Sequence, residues 1–206
     1  MKDIAVEQRG APVAFSGRKK RWTTKDILVS GMIGIVFAFV QLGLTYAFMA
    51  AAVSAGPVVA RLLNGFFFLS GFMALAIVRK PGIGLLSQTI TGLVMTPLTP
   101  FGILMLFGCL INGVLTELMF VPTRYRKYSL AVFVIGMGVI SIVYTLLEYG
   151  MSGYGGLAVS VQVGIMAVSA ISGAFCGWLC KRLVDALMRT GLLSGYAAEW
   201  QSGNPR

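Results

Sequence analysis

Long apolar runs broken by short polar or Gly/Pro-bearing segments dominate the chain. A bilayer core of ~30 Å needs about 20 mostly apolar residues in helix, and such runs fall at Ile27–Met49, Val59–Val78, Ile83–Thr96, Phe101–Val121, Leu130–Tyr149 and Leu157–Cys180. None alternates polar and apolar positions as an outer-membrane barrel strand does. Backbone groups at bilayer depth need internal partners, so the runs predict an all-α, polytopic membrane protein: a six-helix transmembrane bundle. The third run, about 14 residues or ~21 Å of helix, predicts a short third helix, and Pro97 and Pro100 follow it. Breaks fall at Ala55-Gly56-Pro57, Arg79-Lys80-Pro81-Gly82, Pro97-Leu98-Thr99-Pro100, Pro122–Tyr128 and Gly150–Gly156. The expected organisation is a polar basic tail over 1–21, a membrane domain over 22–182 and a second tail over 183–206.

Cations orient this map. Arg18, Lys19, Lys20, Arg21 and Lys25 precede the first run, Arg79-Lys80 and Arg124, Arg126, Lys127 sit in two connections, and Lys181, Arg182 and Arg189 follow the last. With six spans all of these share one side, and only Arg61 lies near the other. The positive-inside rule then predicts that both termini are cytoplasmic, in the plasma membrane of a prokaryote. Met1–Ser16 has no apolar core before the basic run and is not read as a signal peptide.

Composition narrows the chemistry. Hydrophobic residues make up 57% of the 206, charged residues 12%, and 17 Lys+Arg against 7 Asp+Glu give +10 with no His. The absence of His excludes His-based acid–base or metal chemistry. The excess charge reads as topology signal and lipid-surface attraction, not as a nucleic-acid patch. Cys109, Cys176 and Cys180 lie inside apolar runs without CxxC spacing, so no metal site or disulfide framework is indicated. No phosphate loop, HExxH or nucleophile elbow is present, and Glu117 and Glu148 fall at opposite depths. No enzyme and no cofactor is predicted.

Ionisable and amide side chains at bilayer depth mark function. On the predicted orientation Tyr46, Arg61, Asn64, Tyr144, Glu148, Tyr149 and Gln162 belong to the outer half, with Gln41, Gln88 and Asn112 nearer the middle. Convergence of such groups among apolar and aromatic side chains describes a small-molecule pocket open to the outside. The candidate binding set is Tyr46, Arg61, Asn64, Gln88, Asn112, Tyr144, Glu148 and Gln162; helix–helix hydrogen bonding and interfacial snorkelling are the competing readings. Glu117 is expected to pair with the Arg124–Lys127 cluster. Ser30, Gly34 and Ala38 recur every four residues, and a small-residue face permits close helix approach. It predicts either packing within the bundle or a docking surface for another membrane protein.

The chain resembles the substrate-binding S components of energy-coupling factor (ECF) transporters, specifically the YkoE-type thiamine or hydroxymethylpyrimidine group. Leu63-Asn64-Gly65-Phe66-Phe67-Phe68-Leu69, Val78-Arg79-Lys80-Pro81-Gly82, and Asn112-Gly113 through Glu117-Leu118 to Arg124-Tyr125-Arg126 carry the resemblance, which spans roughly Trp22 to Arg182. It implies a subunit that captures a vitamin or related small nutrient from outside. Uptake would then be driven by a transmembrane T component and two ATPase subunits, the T component docking on the small-residue face. The family's third helix tends to carry glutamates suited to a cationic ligand, where this chain has Gln88 and Met95. That departure leaves a neutral or anionic nutrient as a rival to thiamine or its pyrimidine. A structural or regulatory membrane subunit without its own ligand is the alternative function.

Overall fold

The computed structural model describes residues 22–122, 128–152 and 156–190. Among them the chain is helical throughout, without strands. The elements are α1 (Thr24–Ser54), a one-turn α2 (Pro57–Ala60) continuing into a 3₁₀ segment (Arg61–Phe68), α3 (Leu69–Val78), α4 (Ile83–Met95), α5 (Ile103–Phe120), α6 (Leu130–Ser152) and α7 (Val159–Arg189). Five stretches are long and apolar enough to cross a membrane, with α2, the 3₁₀ segment and α3 counting as one, and α4 is the shorter apolar sixth. The expected order, the short third span and the breaks at Ala55-Gly56-Pro57, Arg79–Gly82 and Pro97–Pro100 hold. In the other two breaks residues 123–127 and 153–155 lie outside the described residues, and α6 continues to Ser152. Helix α7, however, runs to Arg189 with Val184 fully buried, past the boundary at 182 expected from hydropathy.

Helix α3 is the hub, with all ten of its residues buried. It packs on α1, α4 and α7, while α6 pairs with α7 and α5 with α4. Phe72 of α3 meets Phe120 of α5 and Phe133 of α6 edge-on at 5.5 and 6.0 Å, and Tyr128 stacks on Phe120 at 5.3 Å. Aromatic pairs in these geometries add to the area they bury.

One end of the bundle gathers the charges. Thr23 and Asp26 form a capping box at the start of α1, satisfying amide donors that the first turn leaves open. The Asp26 carboxylate also accepts from Lys80 Nζ at 2.6 Å, in a pair almost fully buried. Trp22 Nε1 donates to the Pro81 carbonyl at 3.0 Å, and the Arg79 guanidinium lies 4.5 Å from the Tyr128 ring centroid. The start of α1 and the α3–α4 connection are thereby bolted together. Glu117 Oε1 accepts from the Gly84 and Leu85 amides at 2.8 and 3.4 Å, so this carboxylate caps the N-terminus of α4, where the helix dipole favours it. Its expected partners Arg124, Arg126 and Lys127 lie outside the described residues.

Of the two readings of the small-residue face of α1, the structure matches packing within the bundle. Asp26, Ser30, Gly34, Ala38, Gln41 and Thr45 are the buried positions of α1, and they face the bundle, chiefly α4. Ser30 Oγ donates to the Ile83 carbonyl at 3.2 Å, and Thr91 Oγ1 donates to the Gly34 carbonyl at 3.0 Å. A Cβ at Gly34 would stand 2.8 Å from the Ser87 carbonyl oxygen. Ser30, Gly34 and Ala38 are thus packed inside the bundle against α4. The outward positions are Leu28, Met32, Ile35, Val36 and Phe39. Gly34→Leu is expected to destabilise the purified protein by about 1–3 kcal/mol, the usual range for overpacking. Val36→Leu, on the exposed face, should leave the thermal midpoint in detergent unchanged, and equal midpoints for the two variants would refute the assignment.

Candidate substrate-binding site

Opposite the charged end, a cavity of about 340 Å³ opens between α1, the 3₁₀ segment, α5 and α6. That volume lies within the usual range for small-molecule sites. Its shape depends on the 3₁₀ geometry. Three residues per turn eclipse side chains at i and i+3, whereas three α-helical steps of ~100° leave a shortfall of roughly 60°. Arg61, Asn64 and Phe67 therefore form one column, and these three residues of the segment line the cavity.

Side chains from three helices bond to the backbone of this 3₁₀ stretch. Gln41 Nε2 of α1 and Gln88 Nε2 of α4 both donate to the Phe67 carbonyl, at 3.0 and 2.9 Å. Ser172 of α7 donates to the Leu62 carbonyl at 2.6 Å and accepts from the Gly65 amide at 3.0 Å. The approach is so close that a Cβ at Gly65 would sit 2.5 Å from the Ser172 carbonyl oxygen. Polar contacts of this kind between helices hold irregular backbone in place at bilayer depth.

Facing the column, α5 presents Phe101, just before its first turn, then Leu104, Met105, Gly108 and Asn112, the i, i+3, i+4 pattern of one helical face. Helix α6 supplies Tyr144, Leu147 and Glu148, and α1 adds Thr45 and Phe48. Arg61 and Glu148 are the charged residues among the lining. Arg61 Nη1 donates to Glu148 Oε2 at 2.5 Å, with the arginine side chain 1% exposed and the carboxylate 24%. The guanidinium also lies 5.6 Å from the Phe48 ring centroid. Asn64 Nδ2 and Asn112 Oδ1 are buried without a hydrogen-bond partner among the described residues.

Of the eight candidates from sequence, Arg61, Asn64, Asn112, Tyr144 and Glu148 share this cavity. The other three are placed elsewhere. Gln88 is one shell out, spent on the Phe67 carbonyl. Tyr46 is half exposed and its hydroxyl donates to the Leu98 carbonyl at 3.0 Å, tying α1 to the α4–α5 connection. Gln162 donates to the Leu157 carbonyl at 2.8 Å within the turn that starts α7, and Tyr149 donates to the Gln162 carbonyl at 2.8 Å. For these two, satisfaction of nearby backbone carbonyls decides their position. Sequence reasoning missed Thr45 and Phe48, although both continue the inward stripe of α1 through Gln41. It also missed Phe67, because an α-helical reading of 61–68 does not align it with Arg61.

With this geometry in view, comparison with known proteins is specific. Residues 25–143 match the family described as "ABC-type cobalt transport system, permease component". Over 183 residues the chain is 34% identical to "Putative HMP/thiamine permease protein YkoE" of Bacillus subtilis (strain 168), covering 86% of this chain and 90% of that protein. A solved structure described as "Crystal structure of an S-component of ECF transporter" superposes with a TM-score of 0.83 at 31% identity, covering 88% of this chain and 93% of the other. The chain belongs to the YkoE-type S components of ECF transporters. It is a multi-pass membrane subunit of a transport system, and substrate binding is the S component's task.

In this S component the Arg61–Glu148 pair closes one side of the cavity. Removing one member of a buried pair leaves an uncompensated charge, at a cost of about 3–5 kcal/mol, whereas replacing both is far milder. Glu148→Leu should therefore cost more than Arg61→Met, because the arginine is the more deeply buried partner. The double variant should recover at least 1 kcal/mol relative to the sum, roughly the coupling expected of contacting residues. Thermal unfolding of the four proteins in detergent measures it, and additive losses would refute the coupling.

Proposed function

We propose that the cavity captures a small nutrient bearing an aminopyrimidine ring, thiamine or hydroxymethylpyrimidine, and that the protein delivers it to a transmembrane T component powered by two ATPase subunits. The observation that carries this reading is one cavity combining aromatic faces, a paired Arg61–Glu148 and two uncommitted carboxamides, in a chain related to a protein named for HMP and thiamine. Aromatic faces suit a flat heterocycle, and a few directed polar groups fix its orientation. Glu148 supplies a carboxylate from α6 although Gln88 and Met95 replace the acids expected on the third span. Since Glu148 is matched by Arg61, the lining carries no net charge, which favours the uncharged pyrimidine over the thiazolium-bearing vitamin. In this reading Arg61, Asn64, Asn112, Tyr144 and Glu148 contact the ligand, and Tyr46, Gln88 and Gln162 support the frame around it.

The cavity opens to the outside and both termini lie in the cytoplasm. Support comes from Lys25, Arg79, Lys80, Lys181, Arg182 and Arg189, which lie at the end of the bundle away from the cavity, as the positive-inside rule requires. The tails 1–21 and 183–206 then flank the membrane domain on the cytoplasmic side, although α7 extends helically into the second.

Titration calorimetry on the isolated protein in detergent, without T component or ATPases, should give one-to-one binding of hydroxymethylpyrimidine at micromolar Kd or tighter, about −8 kcal/mol, with thiamine weaker. No heat from either ligand, with folding confirmed, would overturn the substrate assignment. Fusions to the C-terminus test the topology: green fluorescent protein should fluoresce there and alkaline phosphatase should stay inactive. The reverse pattern would overturn it.

A further inference from the structure

We infer that Asn64 and Asn112 are the specificity-determining pair of this cavity, together reading the in-plane edge of a planar heterocycle that carries a hydrogen-bond donor beside an acceptor. The inference rests on the reading of the cavity as a nutrient site and names the side chains that choose among nutrients. Both asparagines line the cavity from different elements, the 3₁₀ column and α5. They are 3% and 4% exposed, and Asn64 Nδ2 and Asn112 Oδ1 have no partner among the described residues. A buried amide left unmet costs free energy, so each is a standing demand for a partner that the protein does not supply.

Gln41 and Gln88 also keep a buried Oε1 without a partner among the described residues, but neither lines the cavity, and each has its amide nitrogen engaged by the Phe67 carbonyl. Thr45 Oγ1 donates to the Gln41 carbonyl at 2.8 Å, and Arg61 and Glu148 hold each other. A carboxamide offers both a donor and an acceptor without charge. Two of them facing one space complement an amidine- or amide-like edge and have no counter-charge for an anion or a cation. In the 3₁₀ column Asn64 sits between Arg61 and Phe67, one turn from each, so an edge bound at Asn64 lies beside an aromatic face. Sites built to hydrogen-bond a group reject analogues lacking it far more strongly than apolar pockets reject a missing methylene.

The test uses the full chain in detergent and the variants Asn64→Leu and Asn112→Leu, which keep the volume and remove the polar atoms. Calorimetry compares hydroxymethylpyrimidine with the same ring lacking its amino group, and thermal unfolding is followed without ligand. Each variant should weaken hydroxymethylpyrimidine about tenfold to hundredfold, the loss of one or two buried hydrogen bonds. Binding of the deaminated ring should stay within about threefold of wild type, and the ligand-free midpoint should be unchanged or raised. Wild-type affinity in both variants, equal losses for the two ligands, or a lowered ligand-free midpoint would overturn the inference, the last because the amides would then be structural. If the wild type binds neither compound, the substrate assignment above fails, and the unfolding measurement decides this inference alone: an unchanged or raised midpoint upholds the asparagines as uncommitted ligand groups, a lowered one removes them.

Discussion

A single backbone carbonyl, that of Phe67, organises the half of the molecule that holds the cavity. It belongs to a 3₁₀ segment, whose hydrogen-bond geometry is poorer than that of an α-helix, at a depth where the bilayer offers no water. Gln41 and Gln88 reach it from helices on either side. The same two bonds fix the segment against α1 and α4, while Ser172 fixes it against α7. Without these brackets the segment would gain by rewinding into α-helix, and Arg61, Asn64 and Phe67 would no longer share a column. The cavity is therefore a consequence of how one stretch of backbone is satisfied. It is not merely a gap between helices.

This explains which parts of the architecture could be read from residues alone. Six runs, the first three breaks and the short third span were legible because desolvation of the backbone leaves helix as the only option for such runs, and length then counts spans. The gathering of Lys25, Arg79, Lys80 and the α7 cations at one end followed from the same count. The 3₁₀ segment was not legible. Arg61–Phe68 is an ordinary apolar stretch by hydropathy, and its geometry is set by Gln41, Gln88 and Ser172, which are distant in sequence. Arg61, Asn64, Asn112, Tyr144 and Glu148 could still be nominated because polar groups at depth are conspicuous whatever the helix type.

The direction in which α1 faces was left open between two readings for a different reason. In a soluble helix the apolar stripe points inward, but lipid is as apolar as a core, so hydrophobicity does not mark the buried side. Helix α1 places Ser30, Gly34, Ala38, Gln41 and Thr45 inward, and Met32, Ile35, Val36 and Phe39 outward. Size and polarity, not hydrophobicity, carry the signal. A small-residue face is equally compatible with an internal neighbour and an external partner, and only the hydrogen bonds from Ser30 and Thr91 to the facing backbone decide for the internal one.

Gln88 and Met95, standing where the resemblance leads carboxylates to be expected on the third span, now have a structural meaning. Met95 is fully buried, and Gln88 is consumed by the Phe67 carbonyl. A glutamate at 88 could not donate there as a carboxylate, so an acid at that position would compete with the bracket that shapes the cavity. The acid that does face the cavity is Glu148, on α6, and it comes with Arg61 as its counter-ion. Charge in a low-dielectric site acts strongly, so a matched pair leaves discrimination to shape and to uncharged hydrogen-bonding groups. On the proposed reading, a chain built this way distinguishes ligands by the pattern of donors and acceptors on a ring edge, with carboxamides because the Glu148 carboxylate is already engaged.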